Sequence, residues 1–263
     1  MMAYPNLDAF RAALAGQGYY IFEGLVPPDL VERMKVDLQG AWQRCGDIQR
    51  KNLPDQDAEL TVHHLVGQGE SFLEYLKLSE TLDPYLRDCF EGPYILNSFG
   101  GAINSPGWSS YAHRIHRDVR TFSPTFRLLL NTLVMLDDFT EENGATWLYP
   151  EGQNLSQAPD SATFYSRAKR AIAPAGSVLI FDSNLWHAGG DNHTSQPRRS
   201  VTPMYSRPFI KPQFDYPRAL GYGRADEFDG YLRQVIGYNS RVPASLDEWY
   251  QPPEKRAYRR DQG

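Results

Sequence analysis

The sequence predicts a mainly β protein with flanking helices, built around a double-stranded β-helix, a jelly roll of the cupin-like type. Helical patterns dominate the first part of the chain, whereas short apolar strands joined by Gly, Pro and Asn turns dominate from residue 94 onward. With 263 residues, 41% of them hydrophobic, the chain is long enough for one domain with a substantial core. Because no repeat or low-complexity linker interrupts it, we expect a single domain over residues 1–263, with helical support over about 1–93, a jelly-roll core over about 94–210 and a wrapping tail over 211–263.

The elements of the amino-terminal part are predicted from the spacing of its apolar residues. After Pro27 and Pro28 these residues recur at helical spacing, and proline is favoured in the first turn of a helix. In chain order we expect a short helix over 7–14, a strand over 19–26, an amphipathic helix from Asp29, and short helices over 72–78 and 82–89.

The core is predicted from β-type runs separated by turns. Residues 126–136 form a long β-type run, Glu141-Glu-Asn-Gly144 is a strong turn signal, and residues 145–149 return as a strand. An apolar run over 177–181 supplies a further strand. The tail is rich in Tyr, Pro and charged residues, and its tyrosines are expected to pack on the barrel rather than to cover a pocket: Tyr216, Tyr222, Tyr231 and Tyr238.

Composition argues against several functional classes. A net charge of −5 does not indicate a broad basic surface for nucleic acid. Cys45 and Cys89 are too few for a disulfide framework, which favours a reduced compartment. No apolar run approaches the ~20 residues of a membrane span, and the amino terminus lacks a signal-peptide pattern. We therefore expect a cytoplasmic protein without nucleic-acid or membrane partners.

Two histidines and one aspartate have the spacing of metal ligands. His116 and Asp118 are two residues apart, so on an extended strand both side chains point the same way and can reach one ion. His187 follows an apolar run and a polar turn, and can supply the third ligand from another strand. Two imidazoles and one carboxylate can cap one face of an Fe(II) ion and leave the other positions open, as in the non-haem Fe(II) oxygenases.

The remaining histidines fit this site less well. His113 and His193 are rival ligands, but three residues separate His113 from His116, which puts the two on opposite faces of a strand. His193 lies in a polar loop, and we expect surface or supporting roles for both. His63 and His64 have no partner pattern and are expected to be structural or exposed.

Arg198 is the candidate anion-binding residue. It opens a run over 198–205 that reads as a strand, in which Pro203 predicts an edge position or a bulge. A guanidinium can grip a carboxylate through two parallel hydrogen bonds. Ser200 faces the same side as Arg198 and can donate a further bond. Arg199 is the rival of Arg198, because only one of two neighbouring residues on a strand can point inward.

Three more polar residues are candidates for ligand contact. Asn131 shares a strand face with Leu129 and Leu133, so its amide is expected to point inward and to contact either the backbone or a bound co-substrate. Arg114 and Arg120 would share the metal-facing side of a regular strand, where they can meet an anionic substrate. Surface ion pairs with nearby acidic residues are the alternative for both arginines.

From about residue 8 to about residue 208 the chain resembles the phytanoyl-CoA dioxygenase family of Fe(II)/2-oxoglutarate-dependent oxygenases. The resemblance rests on His116-x-Asp118, on the late His187, and on Arg198 at the family's distance. It is supported by the stretch from Leu133 to Gly144 and by the opening segment around Gly18-Tyr-Tyr-Ile-Phe.

Two positions depart from the family's pattern. Pro150-Glu-Gly-Gln153 stands where the family usually has Pro-Gly-Ser-His, which concerns a loop on the substrate side. Gly189 stands where the family commonly has a small hydroxyl residue, which makes Ser200 the better candidate for supporting 2-oxoglutarate.

The resemblance implies an enzyme that oxidises a small-molecule substrate with Fe(II), 2-oxoglutarate and O2, and releases succinate and CO2. It implies that the metal ligands, which are also the catalytic residues, are His116, Asp118 and His187. It implies that the residues for 2-oxoglutarate are Arg198, Ser200 and Asn131. Hydroxylation is favoured because related halogenases carry a small residue in place of the aspartate.

Two alternatives remain open at this point. One is a cupin-type metalloprotein that uses His113 with His116 and His187 and does not use 2-oxoglutarate. The other is a non-catalytic binding protein on the same fold.

Overall fold

The computed structural model describes residues 6–53, 61–107 and 111–262, and it has the expected jelly-roll core with flanking helices. Among these residues one sheet has six strands in the order β1-β7-β4-β9-β3-β2, and a second has three in the order β6-β5-β8; every strand pair is antiparallel. The strands are β1 Tyr19–Phe22, β2 Thr61–Val62, β3 Ile95–Asn104, β4 Leu129–Met135, β5 Trp147–Leu148, β6 Lys169–Arg170, β7 Val178–Asp182, β8 His187–Ala188 and β9 Arg198–Ser206. The helices are α1 Leu7–Gly16, α2 Pro28–Asn52, α3 Glu70–Leu78, α4 Asp83–Phe90, α5 Ser161–Arg167, α6 Tyr216–Leu220, α7 Gly230–Ile236 and α8 Leu246–Trp249.

The helical layer covers one face of the six-stranded sheet. Helix α2 begins at a proline, as the sequence predicts, and buries one apolar stripe that includes Leu30, Met34 and Leu38. This stripe joins a single hydrophobic cluster with Phe99 of β3 and Tyr205 of β9, both fully buried. The burial of this apolar surface stabilises the packing of the helices on the sheet. The opposite face of the sheet is not covered by these helices and lines a pocket.

Strands β1, β4 and β5 are shorter than predicted. Strand β5 has only Trp147–Leu148 of the expected residues 145–149, and turns shorten the other two. Strand β1 ends at Phe22 instead of residue 26, because the chain turns at Gly24, which has a φ of 60°. Strand β4 begins at Leu129 instead of residue 126, because a turn precedes it. In this turn the Ser123 hydroxyl donates a hydrogen bond to the Phe126 carbonyl at 2.6 Å. Both departures are at strand ends, where turn chemistry overrides β propensity.

Of the two positions expected for Pro203, a bulge does lie close by, where the register with β3 shifts between Leu96 and Ser98. The edge position is wrong, because strand β9 lies inside the sheet. Its neighbours are β3 and β4, and Pro203 pairs in register with Phe99 of β3. On the other side, the ladder with β4 is interrupted between the pairs Asn131–Met204 and Val134–Val201. The Thr132 hydroxyl donates to the Pro203 carbonyl at 2.8 Å there. Proline has no N–H to donate to the ladder, and in this gap its carbonyl accepts from a side chain instead.

The tail packs against the helical layer and β3. Helix α7 contacts β3 and α3. The Tyr231 hydroxyl lies 3.0 Å from that of Ser79, and the Tyr238 hydroxyl donates to the Gly221 carbonyl at 3.0 Å. Tyr216 is buried, whereas Tyr222 is 44% exposed. Within the described ranges, no helix combines the length and the apolar character that a membrane span requires.

Candidate metal centre

His116, Asp118 and His187 converge in one pocket. One ligand atom of each lies within 4.8 Å of the other two. Oδ1 of Asp118 is 3.6 Å from Nε2 of His116, and Oδ2 is 3.6 Å from Nε2 of His187. In the part of the chain that the structure describes, no other set of three His, Cys, Asp or Glu side chains meets this spacing.

The main chain brings the two histidines together. The His116 N–H donates to the His187 carbonyl and the His187 N–H donates to the His116 carbonyl, both at 2.9 Å, which forms an isolated antiparallel bridge. The expectation that His116 and Asp118 lie on an extended strand is wrong, because residues 114–120 are irregular apart from this bridge. Both side chains nevertheless reach the cluster.

Both imidazoles are held in the tautomer that a metal ligand needs. Nδ1 of His116 lies 2.7 Å from the Arg114 carbonyl, and Nδ1 of His187 lies 2.9 Å from the Leu185 carbonyl. A carbonyl only accepts hydrogen bonds, so Nδ1 carries the proton in both rings and Nε2 keeps its lone pair. Backbone bonds of this kind typically orient metal-binding histidines.

Burial keeps His187 neutral. The side chain is almost fully enclosed, and its burial, followed by the proximity of His116, lowers the pKa of the imidazole to about 4. The edge of Phe181 packs against the ring with 5.0 Å between ring centroids. At neutral pH His187 therefore offers an uncharged nitrogen on a dry wall of the pocket.

The Arg198 guanidinium is buried without a hydrogen-bond partner for two of its nitrogens. The residue is 5% exposed, and Nε and Nη1 find no acceptor among the described residues. Its guanidinium carbon lies 4.1 Å from the centre of the Phe139 ring, and burial lowers the pKa of Arg198 to about 10. A buried cation with free donors is costly unless an anion completes its bonds. The arrangement suits a carboxylate ligand.

The remaining candidates for 2-oxoglutarate line the same pocket, which encloses about 280 Å³. Ser200 is 2% exposed and faces the pocket two residues beyond Arg198. Asn131 also faces the pocket, but its amide donates to Oδ2 of Asp118 rather than standing free. Sequence reasoning did not assign this contact.

Four other candidates lie elsewhere. Arg114 and Arg120 are exposed and are not part of the pocket lining, because the irregular backbone around them does not alternate as a strand does. His113 ends the short 3-10 turn Tyr111–His113 and lies outside the ligand cluster. His193 is exposed, and its backbone N–H donates to the Glu142 carbonyl at 2.8 Å.

The structure adds polar lining residues that sequence reasoning missed: His63, Ser98, Thr202 and Gln213. Ser98 and Thr202 had a local signal, because each lies on the pocket face of its strand by two-residue alternation. His63 and Gln213 had none, because they lie outside the long core strands, just after β2 and in the tail.

Both departures from the family's pattern have a structural reason. The Gln153 amide donates to the carbonyls of Ala15 and Gly16 at 3.1 and 3.3 Å, so this loop anchors the end of α1. At Gly189, an added Cβ would lie 3.3 Å from the Ala112 carbonyl oxygen, and the Gly189 N–H donates to that oxygen at 2.7 Å. A larger residue at 189 has little room.

The chain is similar in sequence to several known proteins. An uncharacterized protein of Mycobacterium tuberculosis is 29% identical over 276 residues, covering 98% of this chain and 96% of the relative. A relative named dioxygenase trt7, from Aspergillus terreus, is 28% identical over 212 residues, covering 75% of this chain and 73% of the relative.

The crystal structure of AviO1 from Streptomyces viridochromogenes Tue57 is similar in fold, with a TM-score of 0.57 at 19% identity over 80% of this chain and 99% of that one. The family model described as phytanoyl-CoA dioxygenase (PhyH) matches residues 14–200. Together with the relatives named as dioxygenases, that match supports an oxygenase. With most of its length matched, the chain belongs to the phytanoyl-CoA dioxygenase family.

Proposed function

We propose that the protein is an Fe(II)- and 2-oxoglutarate-dependent dioxygenase that hydroxylates, or otherwise oxidises, a small-molecule substrate. The observation that carries the proposal is the combination, in one pocket, of the His116–Asp118–His187 cluster with the buried, unpartnered guanidinium of Arg198. Family membership and the relatives named as dioxygenases support the same class of reaction.

The donor set fits Fe(II). Two imidazole nitrogens and one carboxylate on one side of an ion leave its other positions open for small ligands. Arg198 fits the far carboxylate of 2-oxoglutarate, because a guanidinium can grip a carboxylate through Nε with Nη2 or through Nη1 with Nη2, and each of these faces contains a nitrogen that lacks an acceptor among the described residues. The combination favours a chelating dicarboxylate over a simple monodentate anion.

The residues of the chain then have separate tasks. When bound, Fe(II) supplies the oxidative chemistry, in which 2-oxoglutarate and O2 become succinate and CO2 and one oxygen atom enters the substrate. Arg198 and Ser200 fix the position of the co-substrate, and Phe139 supports the guanidinium from beneath. Phe181 excludes water from the side of His187.

The substrate side of the pocket lies across the sheet from Asp118. Strand spacing of ~4.8 Å puts β3 ~10 Å from β4, because β9 lies between them. Here Ser98, Thr202 and Gln213 offer hydrogen-bonding groups, and Gly100 leaves room, since a Cβ there would lie 2.9 Å from the Thr202 hydroxyl. Asp118 and Arg198 are the charged lining residues in the described ranges. The lining favours an uncharged, polar reacting group.

The alternatives of a cupin without 2-oxoglutarate and of a non-catalytic binding protein are less well supported. The first relied on His113, which lies outside the ligand cluster. The first also leaves the buried guanidinium with free donors unexplained, and the second would show no O2-dependent release of succinate.

Anaerobic titration tests the proposal without knowledge of the substrate. Fe(II)-loaded wild-type protein should develop a visible charge-transfer band as 2-oxoglutarate is added, and O2 should then produce succinate slowly without substrate. His187→Ala should show neither the band nor succinate. A wild-type protein that binds Fe(II) but gives no band and no succinate would rule out the assignment of 2-oxoglutarate.

A further inference from the structure

The Asp118 carboxylate is tied into a chain of buried hydrogen bonds. The Asn131 amide donates to Oδ2 of Asp118, and the Ser183 hydroxyl donates to Oδ1 of Asn131 at 2.6 Å. Asn131 is 7% exposed and Ser183 is 1% exposed. The two residues come from the centre of β4 and from the turn that follows β7.

The polarity of this chain follows from the groups themselves. A carboxylate only accepts, so the Asn131 nitrogen must face Asp118 and its oxygen must face Ser183. The hydroxyl of Ser183 can act as donor, which fixes the amide in the orientation that places an N–H on Asp118. The same residue holds the neighbouring backbone, since its carbonyl accepts from the Val119 N–H at 3.2 Å.

The turn that carries Ser183 is itself held rigidly. Asp182 accepts from the Asn184 backbone at 2.8 Å, and Arg127 donates to Asp182 at 2.9 and 3.2 Å. Arg127 also donates to the Cys89 carbonyl at 3.1 Å, which ties the turn to the end of α4. Ser183 therefore has little freedom to move away from Asn131.

We propose that Asn131 and Ser183 are positioning residues that hold Asp118 in its metal-ligating orientation. This inference rests on the proposed function. With Oδ2 engaged by the Asn131 amide, Oδ1 has no hydrogen bond to another described residue and is available as the ligand. Partners of this kind that lie behind a metal ligand typically change metal affinity by 10–100-fold when removed. The role differs from a contact with 2-oxoglutarate, which the sequence suggests for Asn131.

Cobalt(II) binding separates the two roles. Co(II) substitutes for Fe(II), is not sensitive to O2 on the time scale of a titration, and has visible bands that report its ligand geometry. The proteins are wild type, Asn131→Leu, Ser183→Ala, the double variant, and Thr132→Val as the matched control. Thr132 is the next residue on β4 and is 1% exposed. Its replacement by valine removes the buried hydrogen bond from the Thr132 hydroxyl to the Pro203 carbonyl. Each protein is titrated with Co(II), and then with 2-oxoglutarate at saturating Co(II).

Asn131→Leu should weaken Co(II) binding by about 10–100-fold and alter its visible spectrum. Ser183→Ala should change the Co(II) affinity and the visible spectrum in the same direction, but to a smaller extent. The double variant should bind Co(II) as tightly as Asn131→Leu does, because Ser183 acts through Asn131. Thr132→Val should bind Co(II) as the wild type does. Once Co(II) is saturating, all variants should bind 2-oxoglutarate with wild-type affinity.

Two results would overturn the inference alone. One is wild-type Co(II) affinity and spectrum in Asn131→Leu together with weaker 2-oxoglutarate binding, which would make the amide a co-substrate contact. The other is an equal loss of Co(II) affinity in Thr132→Val, which would mean a general loss of packing. If Asn131→Leu does not fold, Ser183→Ala decides by the same two readouts. Failure of wild type to bind Co(II) at all would instead reject the proposed function, and the inference with it.

Discussion

Arg199 and Asp137 form a two-pronged ion pair on the outer side of the sheet. Nε and Nη2 of Arg199 lie 2.9 and 2.8 Å from the two carboxylate oxygens, and the Arg199 backbone N–H donates to the same carboxylate at 2.7 Å. Because neighbouring residues of a strand face opposite sides, this pair fixes Arg198 toward the pocket. It also makes Arg199 a matched control for Arg198.

Arg198→Lys should raise the concentration of 2-oxoglutarate needed for half-saturation by about tenfold or more, because lysine keeps the charge but loses the two-pronged geometry, a difference of ~1.5–3 kcal/mol. Fe(II) affinity should hardly change. Titration of the charge-transfer band measures both. Arg199→Lys should leave 2-oxoglutarate binding unchanged, and a larger effect in that variant than in Arg198→Lys would contradict the strand register.

Asp137→Asn should destabilise the protein at neutral pH but not in acid. Burial of Asp137 acts to raise its pKa, but the bonds from Arg199 outweigh it and lower the pKa below its usual value. The folded state therefore binds fewer protons than the unfolded state, so the stability from this pair is present above the unfolded pKa of ~3.9 and is lost as the pH falls through the folded pKa.

Urea unfolding from pH 7 to about 3 checks this. At pH 7 the variant should lose about 1–3 kcal/mol of unfolding free energy, and the difference from wild type should shrink below pH ~4. Asp226→Asn is the control, since Asp226 is almost fully exposed opposite Arg233 and should matter little at any pH. If the loss of unfolding free energy in Asp137→Asn were the same at every pH, it would come from altered packing and not from the loss of the charge.

Gly144→Ala should destabilise the protein more than Gly107→Ala. Both glycines have a positive φ, 78° and 72°, so both substitutions carry the conformational penalty of ~1 kcal/mol. A Cβ at Gly144 would also lie 2.2 Å from the Gly190 carbonyl oxygen, whereas a Cβ at Gly107 would have no atom of the described residues within 4 Å. Urea unfolding of the two variants isolates the steric part of the effect; equal losses would show that the backbone near Gly190 yields freely.

Gln153→Ala should loosen the end of α1. The Gln153 amide donates to the carbonyls of Leu14, Ala15 and Gly16, which have no hydrogen-bond donor within the helix. We expect a loss of about 1–3 kcal/mol and faster hydrogen exchange in α1 and β1. Gln157→Ala, at an exposed site in the same loop, should change neither. Unchanged exchange in α1 would mean that other contacts hold the helix end.

The sequence predicted the jelly-roll core, the three candidate metal ligands and Arg198. Two-residue alternation and the order of these residues can be read directly from the chain. The sequence could not predict how His116 and Asp118 are held. Their segment is not a strand, and its shape depends on the bridge to His187, which is distant in sequence. The rule of alternation therefore worked for Arg198 and Ser200, which lie on a regular strand, and failed for Arg114 and Arg120.

Long-range hydrogen bonds explain the other differences. An inward-facing amide at Asn131 was predictable, but its partner Asp118 lies on a loop whose path no local pattern fixes. Likewise, Gln153 stood out as a departure from the family's pattern, yet its role depends on the carbonyls of α1, at the other end of the chain. Polar side chains that join distant segments are the part of a site that sequence patterns describe least well.

The reciprocal backbone bridge between His116 and His187 bears on which metal the protein acquires. Because the main chain sets the separation of the two imidazoles, we expect the proposed metal site to be formed by folding alone, unlike sites that fold around their metal. Chelation should then empty the site without unfolding the protein. A preformed site of two nitrogens and one oxygen also follows the general order of divalent affinities, in which Co, Ni and Cu bind more tightly than Fe. Mismetallation, rather than misfolding, is the failure that the proposed metal site would then face, and the supply of divalent metals would determine how much of the protein carries Fe(II).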